Sequence, residues 1–167
     1  IPQLPYVSVI RRAYQEEPEK IYSQCEGTLI YPMFVKPANM GSSVGISKAE
    51  SRAELTKAIE EAFRYDRRVI VEQGIEAREL EVAILGNDEI RTTEAGEIVK
   101  DVAFYDYESK YIDNKVTLQV PAIVSDELHK KMRDYAEKAY IALDGSGLSR
   151  CDFFVTANDE IFLNEVN

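Results

Sequence analysis

Histidine occurs once in the 167 residues and cysteine twice, and the two cysteines, Cys25 and Cys151, do not form a C-x-x-C pair. That scarcity excludes a zinc site of the usual Cys/His type and a disulfide framework. Cys151 falls in an apolar run and reads as core. His129 stands in SDELHKKMRD with no cysteine or second histidine nearby to share a metal, so a solvated helix position is expected for it. Positive charge is also short: 20 Lys and Arg against 30 Asp and Glu leave a formal net charge of -10. A phosphate backbone is bound through clustered Lys and Arg, so no nucleic-acid partner and no anionic membrane surface is expected, and any phosphate must be met locally. No apolar run has the length of a bilayer span, and the opening IPQLPYV lacks the basic-then-apolar order of a secretory signal. A cytoplasmic location is the default expectation. Neither G-x-x-x-x-G-K-[ST] nor G-x-G-x-x-G occurs, which disfavours the two common nucleotide folds. With no initiator Met and an apolar opening, the chain is expected to be a piece of a longer protein.

What is present suits a globular chain. Hydrophobic residues make up 45% and there are 10 tyrosines, enough for one domain or two small lobes. Up to about Ile30 the pattern is mixed, with a short helix expected over Glu19–Leu29. YPMFVKPA is an apolar run closed by Pro37, which favours extended geometry at Lys36. GSSVG, residues 41–45, is a loop leading to a strand through Ile46 and Lys48. Leu55, Ala58, Ile59, Ala62 and Phe63 then recur at helical spacing behind a capping box of Ser51 and Glu54. RRVIVEQ and ELEVAIL are strands joined by GIEA. Residues 86–121 are polar and without clear periodicity, which predicts a long loop. A second helix starts at Ser125, with Leu128, Met132, Tyr135, Ala136, Ala139 and Leu143 on one face, and stops at Gly145 and Gly147. The chain closes with LSRCDFFV, a turn, and IFLNEVN.

Three signals carry chemistry. A turn centred on Asn158 and Asp159 sets Asp152 opposite Glu165 and Arg150 opposite Asn167, all on one face, because positions two apart in a strand point the same way. Facing carboxylates destabilise a hairpin unless something positive lies between them, and a hard cation accepts Asp, Glu and Asn oxygens. A solvent-facing pair with scattered charges remains the other reading, since a slip of one residue would part Asp152 from its partner. GSSVG can surround phosphate oxygens with backbone N–H groups and two hydroxyls, or it can be an ordinary hairpin loop. Lys36, on the strand before that loop, can neutralise phosphate or serve solubility at a strand edge. Glu72 and Glu79 flank QGIEAR, where either can accept hydrogen bonds from a ribose or an amino group, or be merely solvated.

Together these pieces resemble the ATP-grasp ligases, and within them the D-alanine-D-alanine ligase family. The likeness runs in order through FVKPANMGSSVGISKA, VIVEQGIEARELEVAILG, GEIVKDVAFYDYESKY, GLSRCDFFV and IFLNEVN, nearly everything from Tyr31 onward. It implies an α+β ATP-grasp fold, with antiparallel sheets and flanking helices forming two lobes around the nucleotide. Residues 1–30 would lead in as linker and helix, 31–98 would form the central lobe, and 99–167 the lid loop and C-terminal lobe.

By the same resemblance Lys36 and Lys110 would hold ATP phosphates under the loop of Ser42, Ser43 and Val44. Glu72 and the backbone of Gln73, Gly74 and Ile75 would meet adenine, Glu79 the ribose, and Phe104 and Phe154 would complete the nucleotide site. Asp152, Glu165 and Asn167 match the ligands of two Mg²⁺ ions, for which Mn²⁺ can substitute, with Glu165 also counted towards the nucleotide. Arg150 would stabilise negative charge during transfer, and Ser42 and Tyr111 would place substrate and close the loop.

The implied reaction joins two D-alanines through an acyl phosphate at the expense of ATP, for bacterial peptidoglycan precursors, and a homodimer is compatible with it. The family's N-terminal domain and its segment beyond Asn167 are absent here, so the chain alone is expected to be inactive. Two alternatives stay open: a related ligase making D-Ala-D-lactate or D-Ala-D-serine, for which Tyr111 discriminates, and a nucleotide-binding module without ligase activity.

Overall fold

Val7 and Val9 are buried while Tyr6, Ser8 and Ile10 are exposed, so the opening segment is a strand, β1 (Tyr6–Ile10). The computed structural model describes residues 1–41, 43–100 and 116–167. Short helices α1 (Arg11–Glu16) and α2 (Pro18–Thr28) follow, the latter with Pro18 in its first turn, where a missing N–H costs nothing. Strands β2 (Met33–Pro37), β3 (Ser47–Ala49) and β4 (Arg68–Gln73) join β1 in an antiparallel sheet of order β1-β4-β2-β3.

Helix α3 (Arg52–Ala62) begins at Ser51, whose side chain accepts a hydrogen bond from the Glu54 N–H. Glu54 reaches back one residue further than a capping box requires, accepting from the Glu50 N–H at 2.9 Å. Leu55, Ala58, Ile59 and Ala62 of α3 pack with Met33, Val35, Val69 and Val71 of the sheet and Ile21, Tyr22 and Cys25 of α2. Each buried Val, Leu, Ile or Met among them contributes about 1.5–3 kcal/mol.

The second sheet has order β10-β9-β5-β7-β8, with β6 on the flank of β5. It is built from β5 (Arg78–Gly86), β6 (Arg91–Thr92), β7 (Gly96–Lys100), β8 (Val116–Gln119), β9 (Gly147–Val155) and β10 (Ile161–Val166). Helix α4 (Asp126–Ala142), capped by the Ser125 hydroxyl accepting from the Leu128 N–H at 3.2 Å, supplies Leu128, Met132, Ala136, Ala139 and Tyr140 to the core of this unit. Leu80, Val82 and Ile84 of β5 and Cys151, Phe153 and Val155 of β9 are their partners. Strand alternation therefore sends Glu79, Glu81, Arg150, Asp152 and Phe154 to the opposite face.

Several expectations need correction. The division expected between residues 98 and 99 falls between Ile75 and Glu76, because β5 and β7 pair with each other and β5 pairs with β9. Residues 4–30 are no linker: β1 is hydrogen bonded to β4 within the first unit. The stretch 86–121 holds β6, β7 and β8, whose short lengths hid their period. Leu143 is 64% exposed, lying past the last turn of α4.

His129 is not solvated but 7% exposed. Its Nδ1 accepts from the Ala95 N–H and its Nε2 is 3.2 Å from the Ala122 carbonyl oxygen. Among the described residues no helix is long and apolar enough to cross a membrane.

Candidate functional site

In the first unit, Lys36 of β2 and Glu72 of β4 share the sheet face away from the core. They lie diagonally, since Lys36 pairs with Ile70 and Glu72 with Phe34, and Lys36 Nζ donates to Glu72 Oε2 at 3.0 Å. Both side chains are largely covered, 21% and 13% exposed.

The loop after β2 is pinned at its stem. Asp66 accepts from the Asn39 N–H at 2.9 Å, from Asn39 Nδ2 at 2.8 Å and from the Arg68 N–H at 3.2 Å. Within the loop the Val44 N–H donates to Gly41 O and the Ile46 N–H to Ser43 O. Ser43 and Gly45 have φ of 60° and 72°. A Cβ at Gly45 would lie 2.6 Å from the Tyr65 ring and 2.9 Å from Pro37, so both the backbone and the available space require glycine there.

At the end of β4 the Gln73 N–H donates to Pro5 O and the Gly74 N–H to Pro32 O. The Gln73 side chain accepts from the Ile30 N–H and donates to Ile30 O, tying that segment down as an extra strand would. Ile75 follows and is exposed.

In the second unit the residues expected to act form a grid on the outer face of β5, β9 and β10. Glu79 pairs with Phe154, which pairs with Phe162. Glu81 pairs with Asp152, which pairs with Glu165. Ala83 pairs with Arg150, which exchanges both backbone hydrogen bonds with Asn167.

The hairpin arithmetic reached these partners by a different route. Ile161, Phe162 and Leu163 pair with Val155, Phe154 and Phe153, one residue off the expected register. A bulge between Leu163 and Glu165 then restores it, setting Glu165 opposite Asp152.

Arg150 fills the space between the carboxylates. Its Nε and Nη2 each donate to one oxygen of Asp152 at 2.7 Å, and Nε is 3.4 Å from Glu81 Oε1. Asn167 Nδ2 donates to Asp152 Oδ2 at 3.0 Å. The hydrogen bond to Asp152 raises the basicity of the guanidinium, desolvation opposes this, and the charges of Asp152, Glu81 and Glu165 add to the rise. Asp152 and Glu81 are 15% and 17% exposed, so this potential is poorly screened by solvent.

Among the described residues no three His, Cys, Asp or Glu side chains are arranged as a metal-holding group. The cation found at Asp152 is the arginine itself. The donor chemistry nevertheless suits a hard divalent ion: carboxylates from two adjacent strands and one carboxamide meet where a positive charge is already held.

Of the residues expected to act, Lys36, Ser43, Val44, Glu72, Gln73, Gly74 and Ile75 belong to the first unit. Glu79, Arg150, Asp152, Phe154, Glu165 and Asn167 belong to the second. Ser42, Phe104, Lys110 and Tyr111 lie outside the described residues. Glu81 was not anticipated, although its position two residues after Glu79 on a strand was enough to place it on the same face.

The family model described as "D-ala D-ala ligase C-terminus" matches residues 1–167. The D-alanine–D-alanine ligase of Enterococcus gallinarum is 64% identical over the whole chain, which covers 53% of that protein, and that of Enterococcus faecalis is 65% identical with 48% covered. The chain thus spans about half the length of the curated relatives it matches. Among solved structures, the VanG D-Ala:D-Ser ligase from Enterococcus faecalis superposes with a TM-score of 0.87 at 38% identity, over all of this chain and 48% of that one. The D-alanine-D-alanine ligase from Coxiella burnetii does so at 0.78 and 31%, over all of this chain and 43% of its own. With two antiparallel sheets flanked by helices, and with a family match along its entire length, the chain belongs to the family of D-alanine–D-alanine ligase C-terminal regions.

Proposed function

We propose that this chain is the nucleotide- and metal-handling part of a ligase that joins two D-alanines with ATP, through an acyl phosphate. The observation that carries the reading is the grid on β5, β9 and β10, where Arg150, Asp152, Glu165 and Asn167 meet with Glu79 and Phe154 beside them. Lys36 neutralises phosphate charge, and Ser43 and Val44 supply loop donors once their turn opens. Glu72 and the Gln73–Ile75 backbone face adenine and Glu79 the ribose. The Gln73 and Gly74 N–H groups are taken by Pro5 O and Pro32 O, and Gly74 O accepts from Gln73 Nε2, so adenine contacts there compete with bonds already made.

Asp152, Glu165 and Asn167 would hold Mg²⁺, for which Mn²⁺ can substitute. When bound, Mg²⁺ offsets charge on the transferring phosphoryl group, where such transfer gains most from positioning and electrostatics. Arg150 is the oxyanion partner for the tetrahedral intermediate formed when the amine of the second D-alanine attacks.

D-alanine is preferred over D-serine as acceptor because the relatives at 64–65% identity are named D-alanine–D-alanine ligases, against 38% for the D-Ala:D-Ser enzyme. The test is made on the full-length protein, measuring ADP and D-alanyl-D-alanine released from ATP, Mg²⁺ and D-alanine. Glu165→Gln should abolish turnover and leave the circular dichroism spectrum unchanged. No D-alanine-dependent ADP release by the wild type would overturn the reading.

A further inference from the structure

Asp152 is asked to do two things that compete with each other. In this structure both of its oxygens accept from the Arg150 guanidinium at 2.7 Å and Oδ2 also accepts from Asn167 Nδ2 at 3.0 Å, so most of the lone pairs a cation would draw on are engaged. If the proposed function holds, a divalent ion must take those oxygens while Arg150 stays on the same sheet face to meet the reacting group. An arginine released with no second anion would either compete with the ion for Asp152 or turn into solvent.

The neighbouring strand offers that anion. Glu81 of β5 is the direct cross-strand partner of Asp152, on the side away from Glu165, and its Oε1 is already 3.4 Å from Arg150 Nε. Its side chain is 17% exposed against 46% for Arg150, so it forms a covered wall against which the more exposed arginine can rest. Both strands lie inside the sheet, Glu81 on β5 and Arg150 on β9, joined by a nine-residue ladder from Arg78 to Gly86. Passing the guanidinium from Asp152 to Glu81 therefore needs only side-chain rotation about a fixed backbone. Charge supports the same division. Three carboxylates, Glu81, Asp152 and Glu165, stand in one row, and a guanidinium drawn towards Glu81 leaves Asp152 and Glu165 to face the ion.

We propose that Glu81 is a positioning residue for Arg150, holding the guanidinium when a divalent cation claims Asp152, so that ion and arginine occupy the face together. This rests on the metal reading given above. It assigns Glu81 no bond to the ion or the nucleotide.

The experiment is Mn²⁺ binding followed by electron paramagnetic resonance, with ADP present, in the full-length protein. Four forms are compared: wild type, Glu81→Gln, Arg150→Met and the double variant. Glu81→Gln should weaken Mn²⁺ on the order of tenfold, the range typical for residues that support metal ligands. In the Arg150→Met background, where nothing competes for Asp152, the same change should have little effect. Glu81→Asp keeps the charge but shortens the reach, and should behave like Glu81→Gln. It also provides the measurement if the glutamine variant does not fold.

An equal loss with and without Arg150 would make Glu81 a ligand or a bare charge and overturn the proposal. So would unchanged Mn²⁺ affinity in Glu81→Gln or wild-type affinity in Glu81→Asp. If the wild type itself bound no Mn²⁺ with ADP, the metal reading would fall, and this one with it.

Discussion

Lys36 and Glu72, residues expected at the phosphates and at the adenine of one nucleotide, are hydrogen bonded to each other at 3.0 Å on adjacent strands. The pair solves a problem of burying charge. A lysine and a glutamate each mostly covered by protein would be costly if left unpaired, and each supplies the other's counter-charge. A phosphate reaching Lys36 must loosen this pair. In a double-mutant cycle on the full-length protein, Lys36→Met and Glu72→Gln should couple by roughly 1 kcal/mol in unfolding free energy. With a saturating non-hydrolysable ATP analogue the coupling should shrink. A coupling that persists unchanged would mean that Lys36 does not leave Glu72 for phosphate.

The loop that follows Lys36 depends on Asp66. Burial pushes the Asp66 carboxyl up, but hydrogen bonds from the Arg68 N–H and from the Asn39 side chain and backbone hold it below its ordinary value. Two of those three contacts end on the residue where the loop leaves β2. Asp66→Ala should therefore raise the KM for ATP several-fold, with a smaller change in kcat, since the loop loses its anchor while the sheet remains. An unchanged KM in steady-state assays would separate the anchor from nucleotide binding.

Arg78 and Glu97 tie β5 to β7 with two parallel hydrogen bonds, 2.7 and 2.6 Å, and Arg78 also donates to Ile123 O. The hydrogen bond to Arg78 lowers the Glu97 carboxyl below its ordinary value of 4.5, desolvation opposes this, and the Arg78 charge lowers it further. A carboxylate more acidic in the folded than in the unfolded state stabilises at pH above its unfolded value. That contribution fades as pH falls through the lowered folded value. Urea unfolding should show wild type exceeding Glu97→Gln by roughly 1 kcal/mol near neutrality, a figure kept low because Arg78 is partly exposed. The difference should close in acid. A gap that widened as pH fell would reverse the sign and refute the account.

The periodic parts of this fold were legible in the sequence. Leu55, Ala58, Ile59 and Ala62 marked α3, and the alternation in RVIVEQ and ELEVAIL marked β4 and β5, because these elements are long enough for their period to repeat. β6 and β8, two and four residues long, show too little period to be seen, and β1 ran into a helix without a turn signal. The acidic hairpin was readable from spacing, yet its register rests on a bulge at Asn164 that counting from a turn cannot see. Glu81 was missed for a related reason: its importance comes from lying on β5 directly opposite Asp152 of β9, a partnership between strands far apart in sequence.

Cys25 and Cys151 are both buried, and burial pushes each thiol up to about 11, with a smaller push from the adjacent Glu26 and Asp152 charges. A thiol needs its thiolate form to react. A disulfide reagent such as DTNB at neutral pH should therefore leave both thiols of this chain unmodified in the folded state and titrate both in guanidinium chloride. Rapid labelling of either cysteine in the native protein would show that its pocket opens readily.

His129 is a buried histidine with no role in the proposed chemistry. It occupies a junction where two backbone groups lack strand partners. Its Nδ1 accepts the Ala95 N–H just before β7, and its Nε2–H donates to the Ala122 carbonyl just before α4. The Ala122 N–H in turn donates to Ala95 O at 2.7 Å, so the imidazole closes a ring between these two points of the chain. Glu94, held by Arg133, flanks the ring on its outer side with an oxygen 3.2 Å from Nδ1. Removing the imidazole leaves a buried donor and a buried acceptor unsatisfied, each costing about 1–3 kcal/mol. His129→Ala should accordingly lower unfolding free energy by about 2–4 kcal/mol, and His129→Leu, which fills the volume without the hydrogen bonds, should recover less than half of that. Amide exchange at Ala95 should accelerate in both variants. Full recovery in His129→Leu would mean that packing, and not the two hydrogen bonds, is what His129 supplies.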